Sequence, residues 1–288
     1  MILDWRLVAE NLDNYTLEKI NQNKGFYKWK YVAFLLFEDN EASRVYIKMK
    51  QNKASKFWLK TKVIEDTKAD FETAMDIVNE LNQDDDCIWI LIQLPLNEKL
   101  RPYQGKLLWS VLPNKDIDGL WWILFGLHQI EAISFLPATV RAIFEILYFY
   151  KIWVAGKTIS VFWQSNLVGK PTVCELLRQQ ATVFSFNEFS DIELTKKLSR
   201  QSDIIISATW SLHLINSDYV NPDKMQVLVD VWWGKIDWKP AGDFDFDDIF
   251  SKYSEKDFMY TPVPGWVWPV TVSSIFANLV DLVTGLQD

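Results

Sequence analysis

An α/β protein of two domains is what this sequence predicts, on three observations. Strand-like and helix-like segments alternate along all 288 residues, the pattern of helices covering a mostly parallel sheet. That length accommodates two domains of ordinary size. In the second half, strand ends carry tryptophan where a chain normally places glycine for a tight turn. The expected division is residues 1–120 plus 271–288 as one domain and 121–270 as the other, with a cleft between them.

A first helix is expected over 7–22. Tyr31-Val32-Ala33-Phe34-Leu35-Leu36-Phe37 is an unbroken apolar run, read as a buried strand. A helix over 41–56 follows and sets Tyr46 and Lys50 four residues apart, on one face. Another helix is expected over 71–83, then an apolar strand over 87–94, closed by Pro95. After Asp118-Gly119 the chain enters a different unit. Leu136-Pro137 opens a helix running to about 150. A strand over 157–162 then starts a strand–helix–strand unit of the dinucleotide-binding type, and strands over 182–186, 204–208 and 227–231 complete a Rossmann-type sheet. The last helix, over 272–284, is long enough to return onto the first domain. No internal repeat is evident.

Composition narrows the function classes. With 49% hydrophobic and 24% charged residues the chain reads as globular. A net charge of −8 argues against nucleic acid or an anionic membrane as the main partner. The longest apolar stretches, 120–127 and 142–150, are too short to span a bilayer. Met1-Ile2-Leu3-Asp4 has neither a basic start nor an apolar core, so no signal peptide is visible and the cytoplasm is the expected compartment. Cys87 and Cys174 read as buried thiols in a reducing environment, a disulfide being the lesser reading. Two histidines, His128 and His213, without carboxylate–histidine spacing, predict no metal site.

The tryptophans are the unusual feature. There are 15, against 10 glycines, and the two together lie nearer the ordinary glycine share of about 7% than the 10 glycines alone. Trp163 follows the strand Thr158-Ile159-Ser160-Val161-Phe162, Trp210 ends the strand at 204–209, and Trp232-Trp233 end the strand at 227–231. Trp266 and Trp268 lie in Pro262-Val263-Pro264-Gly265-Trp266-Val267-Trp268-Pro269. An aromatic core or interface is the bland reading. Core tryptophans, however, should follow a period of 2 or 3.6, and these follow strand ends.

Five segments, in order, resemble one family, the bifunctional methylenetetrahydrofolate dehydrogenase/methenyltetrahydrofolate cyclohydrolases. Tyr46-Ile47-Lys48-Met49-Lys50 resembles the family's Tyr-x-x-x-Lys, and Gln93-Leu94-Pro95 its Gln-Leu-Pro. Lys115-Asp116-Ile117-Asp118-Gly119 is similar to Lys-Asp-Val-Asp-Gly. Ser165-Asn166-Leu167-Val168-Gly169-Lys170-Pro171 resembles the cofactor loop, and Thr261-Pro262-Val263-Pro264-Gly265 the C-terminal signature. One Tyr-x-x-x-Lys alone is a weak signal; five segments at matching distances over nearly the whole chain are a strong one.

The resemblance implies a folate-binding first domain and a nicotinamide-nucleotide-binding second domain. It implies hydride transfer from 5,10-methylenetetrahydrofolate to NAD(P)⁺ and hydrolysis of the methenyl product to 10-formyltetrahydrofolate. Lys50, with a pKa lowered by burial, is then the proton-transfer residue. Tyr46 would stack on the folate, Gln93 would hydrogen-bond Lys50, and Asp118 would pair with the pterin's donor edge. Pro262, Pro264 and Gly265 would also line the folate site, and a homodimer is the expected assembly. Each residue has a plainer reading. Lys50, among Lys48, Lys53 and Lys56, reads as one of a solvated helix face, and Tyr46 as a half-buried helix residue. Gln93 is harder to dismiss, because a polar side chain ending an apolar strand needs a partner.

For the nucleotide, the resemblance points to Trp163, Gln164, Ser165, Val168, Gly169, Glu188, Thr209 and Trp210. Trp163-Gln164-Ser165 stands where the family usually has Gly-Arg-Ser, so the arginine that helps to hold an extra phosphate is Gln164 here. Glu188, 25 residues after position 163, falls near where a carboxylate binds the ribose 2′-hydroxyl, which favours NAD over NADP. A solvated loop glutamate is the alternative. Pro137-Ala138-Thr139-Val140-Arg141-Ala142 keeps only the Pro and Thr of the family's Pro-Cys-Thr-Pro-x-Gly, which bears on substrate geometry.

Aligned by these motifs, Trp163, Trp210, Trp232, Trp266 and Trp268 replace family glycines, and Trp5, Trp89 and Trp238 stand in similar settings. Two readings follow. The tryptophans are UGA codons that the source organism reads as glycine, or they are real, and the chain is a remnant with a blocked nucleotide turn that binds partners. Indoles exposed at strand ends or filling the cofactor site favour the first; indoles packed along an interior seam favour the second. A shikimate-type dehydrogenase is a further reading, but it gives no reason for Gln93-Leu94-Pro95 or for Lys115-Asp116-Ile117-Asp118-Gly119.

Overall fold

The computed structural model describes residues 1–288 except 117, 120–125, 129, 131–134, 237, 264–266 and 286–288; at 233, 235, 268 and 285 it describes the backbone alone. It divides into two compact units, one of residues 11–138 and 272–288, the other of residues 1–10 and 139–271. Both are built on parallel sheets.

In the first unit a three-stranded sheet runs in the order β2-β1-β3, with β1 Tyr31–Leu36, β2 Lys60–Glu65 and β3 Cys87–Gln93. β1 lies in the middle and β3 is buried at every residue, as a parallel strand covered on both faces must be. Its neighbours Val78, Leu81 and Leu107 complete an aliphatic core with Leu35, Ile90 and Ile92. Two helices start on side-chain caps: Asn40 Oδ1 accepts from Ser43 N at 3.1 Å, and Asp70 Oδ1 from Thr73 N at 3.0 Å. Each such cap is worth about 1 kcal/mol. The C-terminal part of the helix Trp268–Gly285 belongs here too. Ser273 Oγ donates to Asp13 Oδ1 at 2.8 Å, and the Lys53 ammonium pairs with the same carboxylate at 2.6 Å.

In the second unit five parallel strands run in the order β10-β7-β6-β4-β5, where β4 is Thr158–Phe162, β5 Thr182–Phe186, β6 Ile204–Ser207, β7 Gln226–Asp230 and β10 Phe258–Tyr260. From β4 the chain runs to β5 on one side and then crosses back to β6 on the other side of β4. Such a reversal opens a crevice at the carboxyl ends of the strands. Residues 1–3 run beside β10, with Ile2 bridging Tyr260 and Leu3 N donating to Tyr260 O at 2.8 Å. The first ten residues therefore belong with this unit, not with the N-terminal one where the sequence reading put them. A two-stranded antiparallel hairpin, β8 Trp233–Ile236 and β9 Lys239–Gly242, follows β7.

Left-handed backbone among the described residues is held by two glycines, Gly119 and Gly156, and by four tryptophans: Trp58, Trp163, Trp210 and Trp238. Lys151, Gln180 and His213 share that conformation. A bulky residue there is an outlier that costs roughly 1–3 kcal/mol. Four such tryptophans together approach the whole stability of a typical domain, about 5–15 kcal/mol. Nor are they seated in the core: Trp238 is 90% exposed, Trp58 68% and Trp210 63%.

Candidate functional site

The helix Glu41–Lys56 buries Ser43, Ile47, Lys50 and Ala54, spacings of four, three and four that mark one helical face. Lys50 is carried inward with them, 7% exposed, while Lys48 and Lys56 face solvent. The Lys50 Nζ donates to Gln93 Oε1 at 3.0 Å. Gln93 ends β3, and its Nε2 donates to the Leu94 carbonyl at 2.7 Å. That second bond fixes the amide so that its oxygen faces the lysine. Burial pulls the Lys50 ammonium below the usual lysine value, and the Asp118 carboxylate works against that shift. Reciprocally, burial raises the Asp118 carboxyl and Lys50 opposes the rise. Tyr46 is half-buried one helical turn before Lys50, and burial raises its phenol. A buried lysine whose ammonium form is disfavoured, a fixed acceptor and a carboxylate that opposes that shift form an arrangement suited to moving one proton.

The loop that carries Asp118 is held by its neighbours. Lys115 is buried and donates to the carbonyls of Leu81, Asn82 and Asp84 at 2.9, 2.9 and 2.8 Å, closing the end of the helix Phe71–Gln83. A cation there also meets the negative end of the helix dipole. Asp116 bridges β3 at Ile90, and its Oδ1 accepts from Gly119 N at 3.1 Å. Gly119 stands at φ +70°, where a Cβ would come 2.5 Å from the Phe135 ring, so this turn requires glycine. Lys115, Asp116 and Gly119 thus shape the loop, and Asp118 is the member coupled to Lys50. Pro262 is half-buried in the other unit; Pro264 and Gly265 lie outside the described residues.

The second unit has a cavity of about 250 Å³ at the carboxyl ends of β4 and β5, lined among others by Trp163, Glu188, Ser190, Thr209, Leu214 and Tyr219. The turn leaving β4 is tight: a Cβ on Gly169 would lie 1.9 Å from the Trp163 carbonyl oxygen. Ser165 Oγ accepts from the amides of Val168 and Gly169, both at 3.2 Å, at the start of the helix Gly169–Arg178. Gln164 reaches the end of β5 instead of solvent. Its Nε2 donates to the Ser185 carbonyl at 3.2 Å, and its Oε1 accepts from Asn187 Nδ2 at 2.9 Å. Glu188 is exposed on the cavity rim. Trp210 stacks on Trp232. Ser190, Leu214 and Tyr219 were not singled out in the sequence; Ser190 follows β5, while Leu214 and Tyr219 lie in the long connection between β6 and β7.

Two fully buried carboxylates, also missed in the sequence, underlie this cavity. Asp243 Oδ2 accepts from Ser207 Oγ at 2.7 Å and from Thr209 N at 2.6 Å, while its Oδ1 has no hydrogen-bond partner. Asp230 accepts from the amides of Trp232 and Phe244 at 3.2 and 3.1 Å. Burial raises both carboxyls, and the Asp243 charge pushes Asp230 further up. An acid raised on folding binds its proton more tightly in the native state. Its contribution is therefore fully present below the unfolded aspartate value of about 3.9 and is lost as pH rises through the folded one. Asp243→Asn keeps an acceptor toward Ser207 and Thr209 and removes one charge of the pair. It is expected to add about 1 kcal/mol near pH 7 and to flatten the decline in stability with pH. Urea unfolding from pH 5 to 8 measures this, and a variant less stable than the parent at pH 7 contradicts it.

The sequence model described as the tetrahydrofolate dehydrogenase/cyclohydrolase catalytic domain matches residues 3–118, and that described as the NAD(P)-binding domain of the same enzymes matches 137–286. The bifunctional protein FolD of Lactobacillus acidophilus is 34% identical over 284 residues, covering 98% of this chain and 96% of its own. FolD of Mycoplasma capricolum is 31% identical over 98% of this chain and 97% of its own. The crystal structure of the bifunctional enzyme FolD, methylenetetrahydrofolate dehydrogenase/cyclohydrolase, from Campylobacter jejuni superimposes with a TM-score of 0.89 at 29% identity, covering 99% of both chains.

Proposed function

The chain belongs to the tetrahydrofolate dehydrogenase/cyclohydrolase family, and from that premise we propose that it oxidises 5,10-methylenetetrahydrofolate with NAD(P)⁺ and hydrolyses the methenyl product to 10-formyltetrahydrofolate. The observation that carries the reading is the buried Lys50–Gln93 pair, coupled to Asp118 within one unit. Its members come from three separate segments, a helix, a strand end and a loop, and all three are family motifs.

The unit of residues 11–138 and 272–288 is proposed to hold the folate. Lys50, with its ammonium form disfavoured by burial, takes a proton from the water that adds to the methenyl carbon and returns it when the ring opens. Gln93 acts through Lys50 as a positioning residue, since its amide presents an oxygen and not a donor to Nζ. Tyr46 offers a ring face from the same helical face, and Asp118 an acceptor for the pterin's N–H edge.

The other unit fits a nicotinamide nucleotide. Its cavity lies at the carboxyl ends of β4 and β5, the turn below it is tight enough to bring backbone close to a ligand, and hydroxyls and a carboxylate stand on the rim. Bound there, the nicotinamide supplies the hydride acceptor. Glu188 on the rim supports NAD over NADP, because a carboxylate accepts from a ribose hydroxyl and repels a 2′-phosphate; Gln164, tied to β5, offers no positive charge. Glu188→Ser is expected to reduce the NAD:NADP ratio of kcat/KM by about tenfold, the worth of one 1.4 kcal/mol contact. An unchanged ratio removes Glu188 from the specificity reading.

Within the cell we place the enzyme in the cytoplasm as a homodimer, the assembly the family resemblance implies; light scattering giving the mass of one chain contradicts the dimer. Among the described residues no helix is long and apolar enough to cross a membrane. The overall test of the proposal is direct: the purified chain, given methylenetetrahydrofolate and NAD⁺ or NADP⁺, should yield 10-formyltetrahydrofolate and reduced nucleotide. A chain with glycine at the tryptophan positions that yields neither product overturns the reading.

A further inference from the structure

We infer that the tryptophans of this sequence are glycine in the protein as its source organism makes it, the codon behind them being UGA read as glycine. The backbone is the first support. Trp58, Trp163, Trp210 and Trp238 stand at φ of 58°, 87°, 65° and 66°, and only Gly119 and Gly156 among the described glycines do the same. The fold thus asks for the left-handed region at four tryptophans, twice the number of glycines placed there. Only glycine enters that region without a steric penalty.

The side chains agree. Tryptophan earns its place by burying a large ring and satisfying one N–H. Trp29, Trp58, Trp153, Trp210 and Trp238 are each at least 63% exposed, three of them in left-handed turns. Trp89 does the opposite: it is 1% exposed within β3, and its Nε1 has no hydrogen-bond partner. Trp210 and Trp232 lie with ring centroids 3.3 Å apart, well inside the roughly 4.5–7 Å at which aromatic rings settle. Such an approach leaves the two rings closer than packed aromatic side chains settle.

Trp163 shows what the exchange does to the site. It starts the turn in which Gly169 packs against its carbonyl oxygen, and it is one of the residues that line the cavity. Glycine at 163 leaves that tight turn intact and opens the cavity to backbone amides at the start of the following helix. That is the geometry by which such turns accept a diphosphate. The inference about residue identity needs only the backbone and the indoles, so it stands or falls apart from the catalytic reading.

Three tryptic peptides of the protein purified from its source cells decide it. Residues 158–178, 201–224 and 236–252 each hold a single tryptophan in the sequence, at 163, 210 and 238, and peptide mass reads the residue directly. Glycine at all three is the expected result; tryptophan at any of them overturns the inference. A second measurement compares two full-length chains, one with tryptophan and one with glycine at the fifteen positions. The glycine chain should melt about 10 °C higher or more, at roughly 2–4 °C per strained site of 1 kcal/mol. A tryptophan chain that melts as high or higher counts against the inference.

Discussion

Lys50→Met is expected to slow hydrolysis of methenyltetrahydrofolate by about 10²–10⁴-fold, the usual worth of a positioned proton-transfer group. The substitution keeps the length of the side chain, so the buried helix face stays filled. Gln93 Oε1 loses the donor it meets at 3.0 Å, a cost of about 1–3 kcal/mol. Against this, the variant no longer has to bury an amine whose charged form is already disfavoured. The two terms are of similar size, so the melting temperature should move by only a few degrees. The signature is therefore a lost rate in a folded protein. Dehydrogenase activity, assayed by nucleotide reduction, should fall less than cyclohydrolase activity, because hydride transfer needs no proton from this chain. Equal rates for parent and variant remove Lys50 from the mechanism.

Exchanging Trp163, Trp210 and Trp232 for glycine together should tighten NAD⁺ or NADP⁺ binding at least tenfold. Trp163 lines the cavity and stands at φ 87°; Trp210 and Trp232 stack on each other just after β6 and β7, with Thr209 and Ser211 on the cavity lining. Removing the Trp163 ring clears the cavity lining, and removing the stacked pair frees the backbone around Thr209 and Ser211; tenfold requires a gain of only about 1.4 kcal/mol. Calorimetric titration of the full-length chain before and after the exchange measures it. Unchanged affinity means that the indoles do not obstruct the nucleotide.

Much of this was legible in the sequence, and the residues say why. Long apolar runs such as 31–37 and 87–93 read as buried strands, and the helices expected over 41–56 and 71–83 are present with those bounds. β2 escaped notice because Lys60–Glu65 is an edge strand, exposed or half-exposed throughout, with lysine at two of its six positions. β10 has three residues, and the β8–β9 hairpin turns at Trp238, which hides the usual glycine signal. At the site, the strand-end position of Gln93 called for a partner, and the family resemblance named Lys50 as that partner, which the structure pairs with it. The solvated-face reading of Lys50 fails because its helix buries every third or fourth residue on one stripe and Lys50 lies on it. Lys115 as a helix-end cap and the Asp230–Asp243 pair were not legible. Both depend on segments about thirty and thirteen residues away in sequence that only the fold brings together.

The most direct test of the Lys50–Gln93 assignment is the pH dependence of kcat/KM for the cyclohydrolase step, in the parent and in Gln93→Leu. The parent profile should carry a limb from a lysine titrating below its ordinary value of about 10.4. Loss of the Gln93 oxygen withdraws a hydrogen bond that favours the ammonium, so the limb should shift to lower pH in the variant. A profile that is the same in both proteins, or that has no such limb, would contradict proton transfer by Lys50 under the control of Gln93.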